Sequence, residues 1–427
     1  MPDLSGELRT RLEANRLLEL ELGSDAIYPA YDGLSILNVP ASLCQWLGAP
    51  DLPHPALDLP ELNELVQGIN QILVVLVDAV SFDRFRTWTD GISPILNPDR
   101  DTCILGTLTS VAPSTTSSAL TTLWTGRSPA EHGVLGYELF LKEYGLVANM
   151  ITHAPMSFEG SLGLLYRAGF QPESALPVST LGPPLARAGV DVHAFLHYSI
   201  SRSGLSRMHY ADVNVHTFGA VPDLWIGVRE LADQPIDRRR LIWVYYGGVD
   251  GLSHRHGPDS EQAQAVFVDF IQAMLENFIG RFSEATGSET LLLLLTDHGQ
   301  IATPKNPDYD LHHHPRITNA LHILPTGENR LAYLYPRPGG VKEIMAYFGT
   351  TWSDQYILVP SERALASGLF GPGSPARETR SRIGDLIAIS QGDAYLWWSA
   401  KDNPLLGRHG AFSADEMLVP LLGLRLD

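Results

Sequence analysis

The chain has 427 residues, 44% of them apolar, which is enough for one large core with an inserted lobe and excludes a disordered or fibrous protein. Its formal charge of −18, from 48 acidic against 30 basic residues, argues against a nucleic-acid polymer as partner. A small phosphorylated substrate stays open, because divalent cations held by aspartates would reverse the sign of the charge locally.

Two cysteines, Cys44 and Cys103, provide neither a disulfide framework nor a thiolate metal cluster. The N-terminus lacks a basic and apolar leader and no later segment has the length of a membrane span, so a cytoplasmic location and no membrane partner are expected.

Residues 9–22 predict a peripheral first helix, with Leu12, Leu17, Leu18 and Leu20 among Arg and Glu. The Pro-rich stretch 27–60 holds a short helix at 39–48 that closes on Gly48, and a second follows at 60–68. Residues 72–77 are an unbroken apolar run ending on Asp78, the pattern of a buried parallel strand with a carboxylate at its tip. The pattern over 83–97 is mixed, and 103–109 reads as a strand. A hydroxyl-rich turn at 111–117 then opens a helix from Thr116 to about Trp124, stopped by Gly126. A nucleophile in that turn lies at a helix N-terminus, which attracts anions.

Residues 145–151 and 190–196 are weaker strands, with a helix at 181–188 between them, and read as an α/β layer continuing across the sheet. The strand at 240–246, a long amphipathic helix at 260–278 and the strand at 290–296 form a parallel crossover unit. Within 301–405, the segment 331–335, a helix near 341–348 and short strands at 385–389 and 393–398 suggest a small mixed lobe. A last strand at 417–422 returns to the core. The fold class is therefore α/β, a mostly parallel central sheet flanked by helices with a smaller inserted lobe. Residues 1–70 are expected to form a helical extension packed on a catalytic domain at 71–427.

Four separated segments bring aspartate and histidine to strand ends or adjoining turns: Asp78; Asp250 with His254; Asp297 with His298; and His409. Oxygen and imidazole donors without thiolate suit zinc, manganese or iron. Six such residues exceed what one tetrahedral ion with an open position needs; they suit two ions about 3.5 to 4 Å apart, each with three protein ligands. The Thr116 hydroxyl completes the site, since a Lewis acid held by Asp78 would lower its pKa, and the natural target is then a phosphoryl group. By pattern alone Thr115 and Ser117 compete with Thr116 for the attack, His256 with His254, and His132 with His409. The run His312-His313-His314 cannot turn three rings to one ion and is expected to line the substrate entrance, with His314 as a substrate contact. Trp243, Trp397 and Trp398 are read as packing residues.

These segments together resemble the alkaline phosphatase superfamily, and more closely its type I phosphodiesterase and nucleotide pyrophosphatase family. Asp78 resembles the first-strand ligand and Pro113-Ser114-Thr115-Thr116 the nucleophile turn, with the nucleophile on Thr116. Asp297-His298-Gly299 resembles the pair that, with Asp78, holds the metal nearest the nucleophile, which Thr116 also touches. Asp250-Gly251-Leu252-Ser253-His254 and Arg408-His409-Gly410 resemble the ligands of the other metal. The resemblance implies two divalent ions, zinc before manganese or iron, and phosphodiester hydrolysis of a small phosphorylated substrate through a phosphothreonine. A phosphomonoesterase or phosphonate hydrolase, and a catalytically silent phospho-ligand binding protein, are the alternatives. Tyr137 stands where the family usually places a phosphate-contacting Asn, so the Tyr137 hydroxyl, Ser117 or backbone donors are expected to take over that contact.

Overall fold

The computed structural model describes residues 3–93, 96, 102–156 and 163–426, so the end of the 83–97 segment lies outside the described residues. Three apolar runs form the centre of the molecule. Gln71–Val77 lies between Arg240–Tyr246 and Thr290–Leu295 and is parallel to both. Every residue of Gln71–Val77 and of Thr290–Leu295 is buried, which is why neither run alternates apolar with polar. Among the described residues the central sheet has seven strands, in the order beginning at Cys103, Leu418, Thr290, Gln71, Arg240, Asp191 and Asn214. Leu418–Arg425 is antiparallel to both of its neighbours, and the pairs from Thr290 to Asn214 are parallel.

The expected crossover runs from Arg240–Tyr246 through the Gly248–His256 and Glu261–Met274 helices to Thr290–Leu295, placing one strand on each side of Gln71–Val77. The second helix buries Ala263, Phe267, Phe270, Ile271 and Met274 in a stripe at three-to-four spacing. Its four larger side chains each contribute about 1.5 to 3 kcal/mol by leaving water. Ser260 starts it, its Oγ accepting the Ala263 N–H at 3.3 Å. The register aligns Val77 with Tyr246 and Leu76 with Leu295, so Asp78, Asp250 and Asp297 all follow strands that end at one edge of the sheet.

A second sheet, antiparallel throughout, forms the lobe, in the order beginning at Tyr356, Leu386, Leu331, Leu321, Glu138, Leu146 and Ala154. It has its own apolar cluster around Ile344, Phe348, Trp352 and Tyr356. The lobe draws on residues 138–155 as well as on 321–390, so the predicted strand at 145–151 does not extend the central layer. Leu146–Asn149 instead forms a hairpin with Glu138–Leu141 through a turn in which Gly145 takes φ 64°.

Two other expectations are corrected, and a segment left without an assigned element proves helical. The first helix is Ser5–Ala14, burying Leu8 and Leu12, and not residues 9–22. Asn15 ends it by turning extended and donating its side-chain amide to the Tyr28 and Pro29 carbonyls, which leaves Leu18 outside the helix at 87% exposure. The mixed segment after Asp78 contains the Phe82–Thr89 helix, capped by Ser81. Residues 393–398 are no strand: Trp397 makes an isolated bridge to Asp310. Among the described residues no helix is long and apolar enough to cross a membrane.

Candidate active site

Asp78 leaves the central strand with its N–H still bonded to the Tyr246 carbonyl at 2.9 Å. The next residue, Ala79, sits in the left-handed region at φ 65°, a position that disfavours a side chain. That turn aims the Ala79 N–H at Asp297 Oδ1, 3.2 Å away, and the same oxygen accepts the His298 N–H at 3.0 Å. Two carboxylates from adjacent strands therefore face each other in the interior, Asp78 at 1% and Asp297 at 0% exposure. Tyr245, from the strand on the other side, donates its hydroxyl to Asp78 Oδ2.

Thr116 opens the Thr116–Thr125 helix, which ends on left-handed Gly126. Its Oγ1 lies 3.1 Å from His298 Nε2 and 3.4 Å from Asp78 Oδ2. Thr115 is extended and makes no side-chain cap to the helix, because its hydroxyl donates to Glu328 instead, at 2.6 Å. Ser117 turns inward: its Oγ is buried with no hydrogen-bond partner, and it is not among the residues lining the cleft.

Each of the three site histidines points Nδ1 at a backbone carbonyl: His298 at Gly299 (3.0 Å), His254 at Gly407 (2.8 Å) and His409 at Ser114 (3.0 Å). A carbonyl can only accept, so Nδ1 carries the hydrogen and Nε2 offers a lone pair to the cluster, the orientation of a ligating imidazole. Gly299 is required beside His298, since a Cβ there would lie 2.0 Å from the Asp415 carbonyl oxygen. The turn that leads into Thr116 and the His409 loop are joined directly, Ser114 bridging Gly410 and its Oγ donating to the Ala411 carbonyl at 2.8 Å.

Two groups of ligand atoms result, each lying within 4.8 Å of one another: Asp78, Asp297 and His298, and Asp250, His298 and His409. His254 Nε2 reaches Asp250 Oδ1 at 3.3 Å and His409 Nε2 reaches it at 3.9 Å, so His254 joins the second group through Asp250. Gln300 also donates its amide to Asp250 Oδ1. His132 is buried elsewhere, bonded to Thr122 at 3.0 Å.

The electrostatics favour bound cations. Burial, then the charges of Asp297 and Asp250, pushes Asp78 well above the usual carboxylate range, and burial also raises Asp297. Burial acts on Asp250 in the same direction, but His254, with His409 and His298 beyond it, holds its carboxyl well below that range. Burial, then His298 and His254, depresses His409 and keeps it neutral. Asp78 Oδ1 and Asp297 Oδ2 are buried with no hydrogen-bond partner. Unsatisfied buried carboxylate oxygens beside lone-pair imidazoles are the donor set a divalent ion requires, so these residues fit two metal ions.

Asp78, Thr116, Asp250, His254 and His409 line a cleft of about 510 Å³, to which the lobe contributes Glu138, Gly327 and Glu328, while Asp297 and His298 lie buried behind it. Tyr137 lines it at 41% exposure, and its N–H donates to Glu328 Oε1 at 2.7 Å. Trp397 and Trp398 line it too, so they are not packing residues alone; Trp398 Nε1 donates to Glu138 Oε2 at 3.0 Å. Trp243 is buried against Trp124 as expected. Burial pushes the Glu138 carboxyl up to about 7 and that of Glu328 up to about 8, with Thr115 and the Tyr137 N–H pulling Glu328 back. His314 is not at this site: both ring nitrogens are engaged, by the Tyr347 hydroxyl at 2.7 Å and the Asp308 carbonyl at 2.9 Å, and it is not among the cleft-lining residues. Tyr245, Gln300, Glu138 and Glu328 were not singled out in the sequence. Tyr245 had a signal, a polar tip on a buried strand five residues before Asp250, whereas Glu328 reads as a turn residue beside Gly327 and Asn329.

Aspartates and histidines gathered at the C-terminal edge of a mostly parallel sheet, under an antiparallel lobe, define a metal-dependent hydrolase of the alkaline phosphatase superfamily. Within it the chain belongs to the type I phosphodiesterase / nucleotide pyrophosphatase family, which it matches over residues 72–412. No curated protein sequence matches the chain. Among solved structures, murine ectonucleotide pyrophosphatase / phosphodiesterase 5 is similar with a TM-score of 0.60 at 16% identity, over 82% of this chain and 87% of that one. The human ectonucleotide pyrophosphatase / phosphodiesterase 5 gives 0.59 at 16% identity over the same shares, 82% and 87%. Phosphonoacetate hydrolase from Sinorhizobium meliloti 1021, in complex with phosphonoacetate, gives 0.58 at 18% identity, over 82% of this chain and 89% of that one. At these identities the likeness is one of fold.

Proposed function

We propose that the chain is a two-metal phosphodiesterase, similar to the nucleotide pyrophosphatases, that hydrolyses a small phosphorylated substrate through Thr116. The observation carrying this reading is the Thr116 hydroxyl at a helix start, 3.1 Å from His298 and 3.4 Å from Asp78. Asp78, Asp297 and His298, with the Thr116 hydroxyl, would hold one divalent ion, and Asp250, His254 and His409 the other; zinc is the first choice, manganese or iron the alternatives. Bound there, the ions supply Lewis acidity for the hydroxyl and countercharge for phosphoryl oxygens. Thr116 would lose its hydroxyl proton to solvent and Oγ1 would form its bond to phosphorus as the bond to the leaving alkoxide breaks, the alkoxide taking a proton from solvent to depart as the alcohol; water would then cleave the phosphothreonine, returning a proton to Oγ1 and releasing the phosphoryl group as phosphate monoester. His298, His254 and His409 would act as ligands and not as general bases: each Nδ1–H is anchored on a backbone carbonyl, and the Nε2 lone pair that a base would use is the one that would be given to the ion.

A phosphomonoesterase or phosphonate hydrolase is the second reading, favoured by Tyr137 in place of a phosphate-contacting amide and by the likeness in fold to phosphonoacetate hydrolase. The test is turnover of bis-p-nitrophenyl phosphate against p-nitrophenyl phosphate with zinc, manganese or iron. Hydrolysis of the diester supports the first reading. Hydrolysis of the monoester alone supports the second, and phosphate binding without either turnover makes the chain a phospho-ligand binding protein.

A further inference from the structure

The lobe side of the cleft carries polar atoms that the fold leaves without partners. Glu328 ends the Leu321–Glu328 strand, is buried, and lines the same cleft as Asp78, Thr116, His254 and His409. Its Oε1 accepts the Thr115 hydroxyl at 2.6 Å and the Tyr137 N–H at 2.7 Å. Glu138, on the neighbouring strand opposite Gly327, receives the Trp398 indole N–H on Oε2 at 3.0 Å. Among the described residues Glu328 Oε2 and Glu138 Oε1 have no hydrogen-bond partner, and neither oxygen is sealed inside the protein. Polar atoms held back from bulk water are normally paired, so two such oxygens on one wall of a cleft are places for a ligand.

The rest of the wall narrows the chemistry of that ligand. Trp397 gives its indole N–H to the Lys401 carbonyl at 3.0 Å and Trp398 gives its own to Glu138, so both offer the cleft ring surface alone. Arg408 lines the cleft with its guanidinium 3.7 Å over the Tyr395 ring, and it donates to neutral partners, Thr303, Asn403 and the Leu405 carbonyl. A ligand therefore meets carboxyl oxygens and a guanidinium together. An ionised carboxyl only accepts, a neutral one both donates and accepts, and a guanidinium only donates. A hydroxyl suits all three, because it donates one bond and accepts others. An ammonium would be opposed by Arg408, and a second anionic group would be opposed by the carboxyls whenever they are ionised.

We propose that this wall is a subsite for a polyhydroxylated ester group, a polyol esterified to the phosphoryl group, with Glu328 and Glu138 hydrogen-bonding its hydroxyls and Trp397 and Trp398 packing on its C–H face. The proposal rests on the phosphoryl-transfer reading above. An apolar surface with a few convergent polar atoms that fix orientation is the usual build of a small-molecule site.

The test uses p-nitrophenyl diesters of the metal-loaded protein's two candidate ligand shapes: myo-inosityl against cyclohexyl, and glyceryl against propyl. Within each pair the carbon skeleton and the p-nitrophenol released are the same, and only the hydroxyls differ. In at least one pair kcat/KM should favour the hydroxylated ester by about tenfold or more, since a site built to bond hydroxyls rejects the analogue that lacks them. The pair with the larger ratio tells a ring from a chain. Glu328→Met and Glu138→Met, which remove the oxygens, should each lower that ratio severalfold through the hydroxylated ester, and E138M decides the matter if E328M does not fold. Ratios near one in the wild type overturn the proposal, as does a ratio unchanged in the folded variants because both esters fall in parallel. If the wild type turns over none of these esters, the diesterase reading fails. Calorimetry with myo-inositol 1-phosphate against cyclohexyl phosphate, and glycerol 1-phosphate against propyl phosphate, then decides the subsite. Binding of a hydroxylated member about tenfold tighter than its partner supports it, and equal binding in both pairs overturns it.

Discussion

Tyr245 donates its hydroxyl to Asp78 Oδ2 from the neighbouring parallel strand, and so fixes which oxygen of that carboxylate is left for a metal. The free oxygen is Oδ1, buried and without a hydrogen-bond partner. Tyr245→Phe keeps the ring and removes this restraint. It should weaken metal binding roughly 10- to 100-fold, as losses of such supporting contacts do, with little change in fold. Metal titration beside circular dichroism checks this; wild-type metal affinity in the variant would show that Asp78 needs no such support.

Thr116→Ala should lower turnover of the preferred ester by about a thousandfold or more while metal content stays near wild type. Thr116→Ser should retain measurable activity, because the hydroxyl keeps its place beside His298. A phosphorylated Thr116 peptide trapped by acid quench would identify the intermediate, and unchanged turnover in T116A would move the attack to another group.

Chelation should destabilise the protein. An ion that binds only the folded state adds about 4 kcal/mol when free metal is a thousandfold above Kd. In the metal-free protein Asp78 and Asp297 titrate above the ordinary carboxylate range, so the folded chain keeps protons that the unfolded chain has released. Their contribution to stability is therefore present at low pH and is lost as pH rises through that raised range. Asp297→Asn should raise the Tm of the chelated protein at neutral pH and reduce the Tm gain on adding zinc. Scanning calorimetry with and without chelator reads both effects.

Acid should unfold the protein through histidines packed on the Thr116–Thr125 helix. Burial depresses His132 and His209 from an ordinary 6.5 to about 3. Their neutral rings bond to Thr122 and Thr121, each at 3.0 Å. The unfolded chain takes up these protons first, so stability is complete above about pH 6.5 and is lost as pH falls toward 3. His209→Gln should flatten the fall of Tm between pH 6.5 and 4. An identical slope in the variant would remove His209 from the account.

The lobe is tied to the His409 loop by a buried ion pair. Arg330 donates to both oxygens of Glu416, at 2.7 and 3.0 Å, with the side chains at 1% and 0% exposure. Glu416→Gln leaves the guanidinium without its counterion and should cost about 3 to 5 kcal/mol in urea unfolding. The double variant with Arg330→Met should cost less than Glu416→Gln alone, since no charge is then left unpaired.

Much of this protein can be read in its sequence, for local physical reasons. A strand buried on both faces is written as an apolar run, so Gln71–Val77, Arg240–Tyr246 and Thr290–Leu295 were legible, and Asp78 and Asp297 were visible as the polar residues that end two of them. The helix opened by Thr116 was equally plain from its hydroxyls and Gly126. What tertiary structure decided are the contacts between segments far apart in the chain. Pairing across 328 and 115 put a lobe carboxyl group beside the turn that opens the Thr116 helix, and a hairpin drew residues 138–155 out of the central layer into the lobe. His314, promising as part of a histidine run, had both ring nitrogens taken up by Tyr347 and Asp308. The sequence by itself determined which residues are candidates for metal binding and attack, because strand ends and helix starts are set by local pattern. Which partner each side chain meets, and so what charge the cleft presents, was decided only when the lobe folded over the sheet edge, because those contacts depend on packing that no local pattern records.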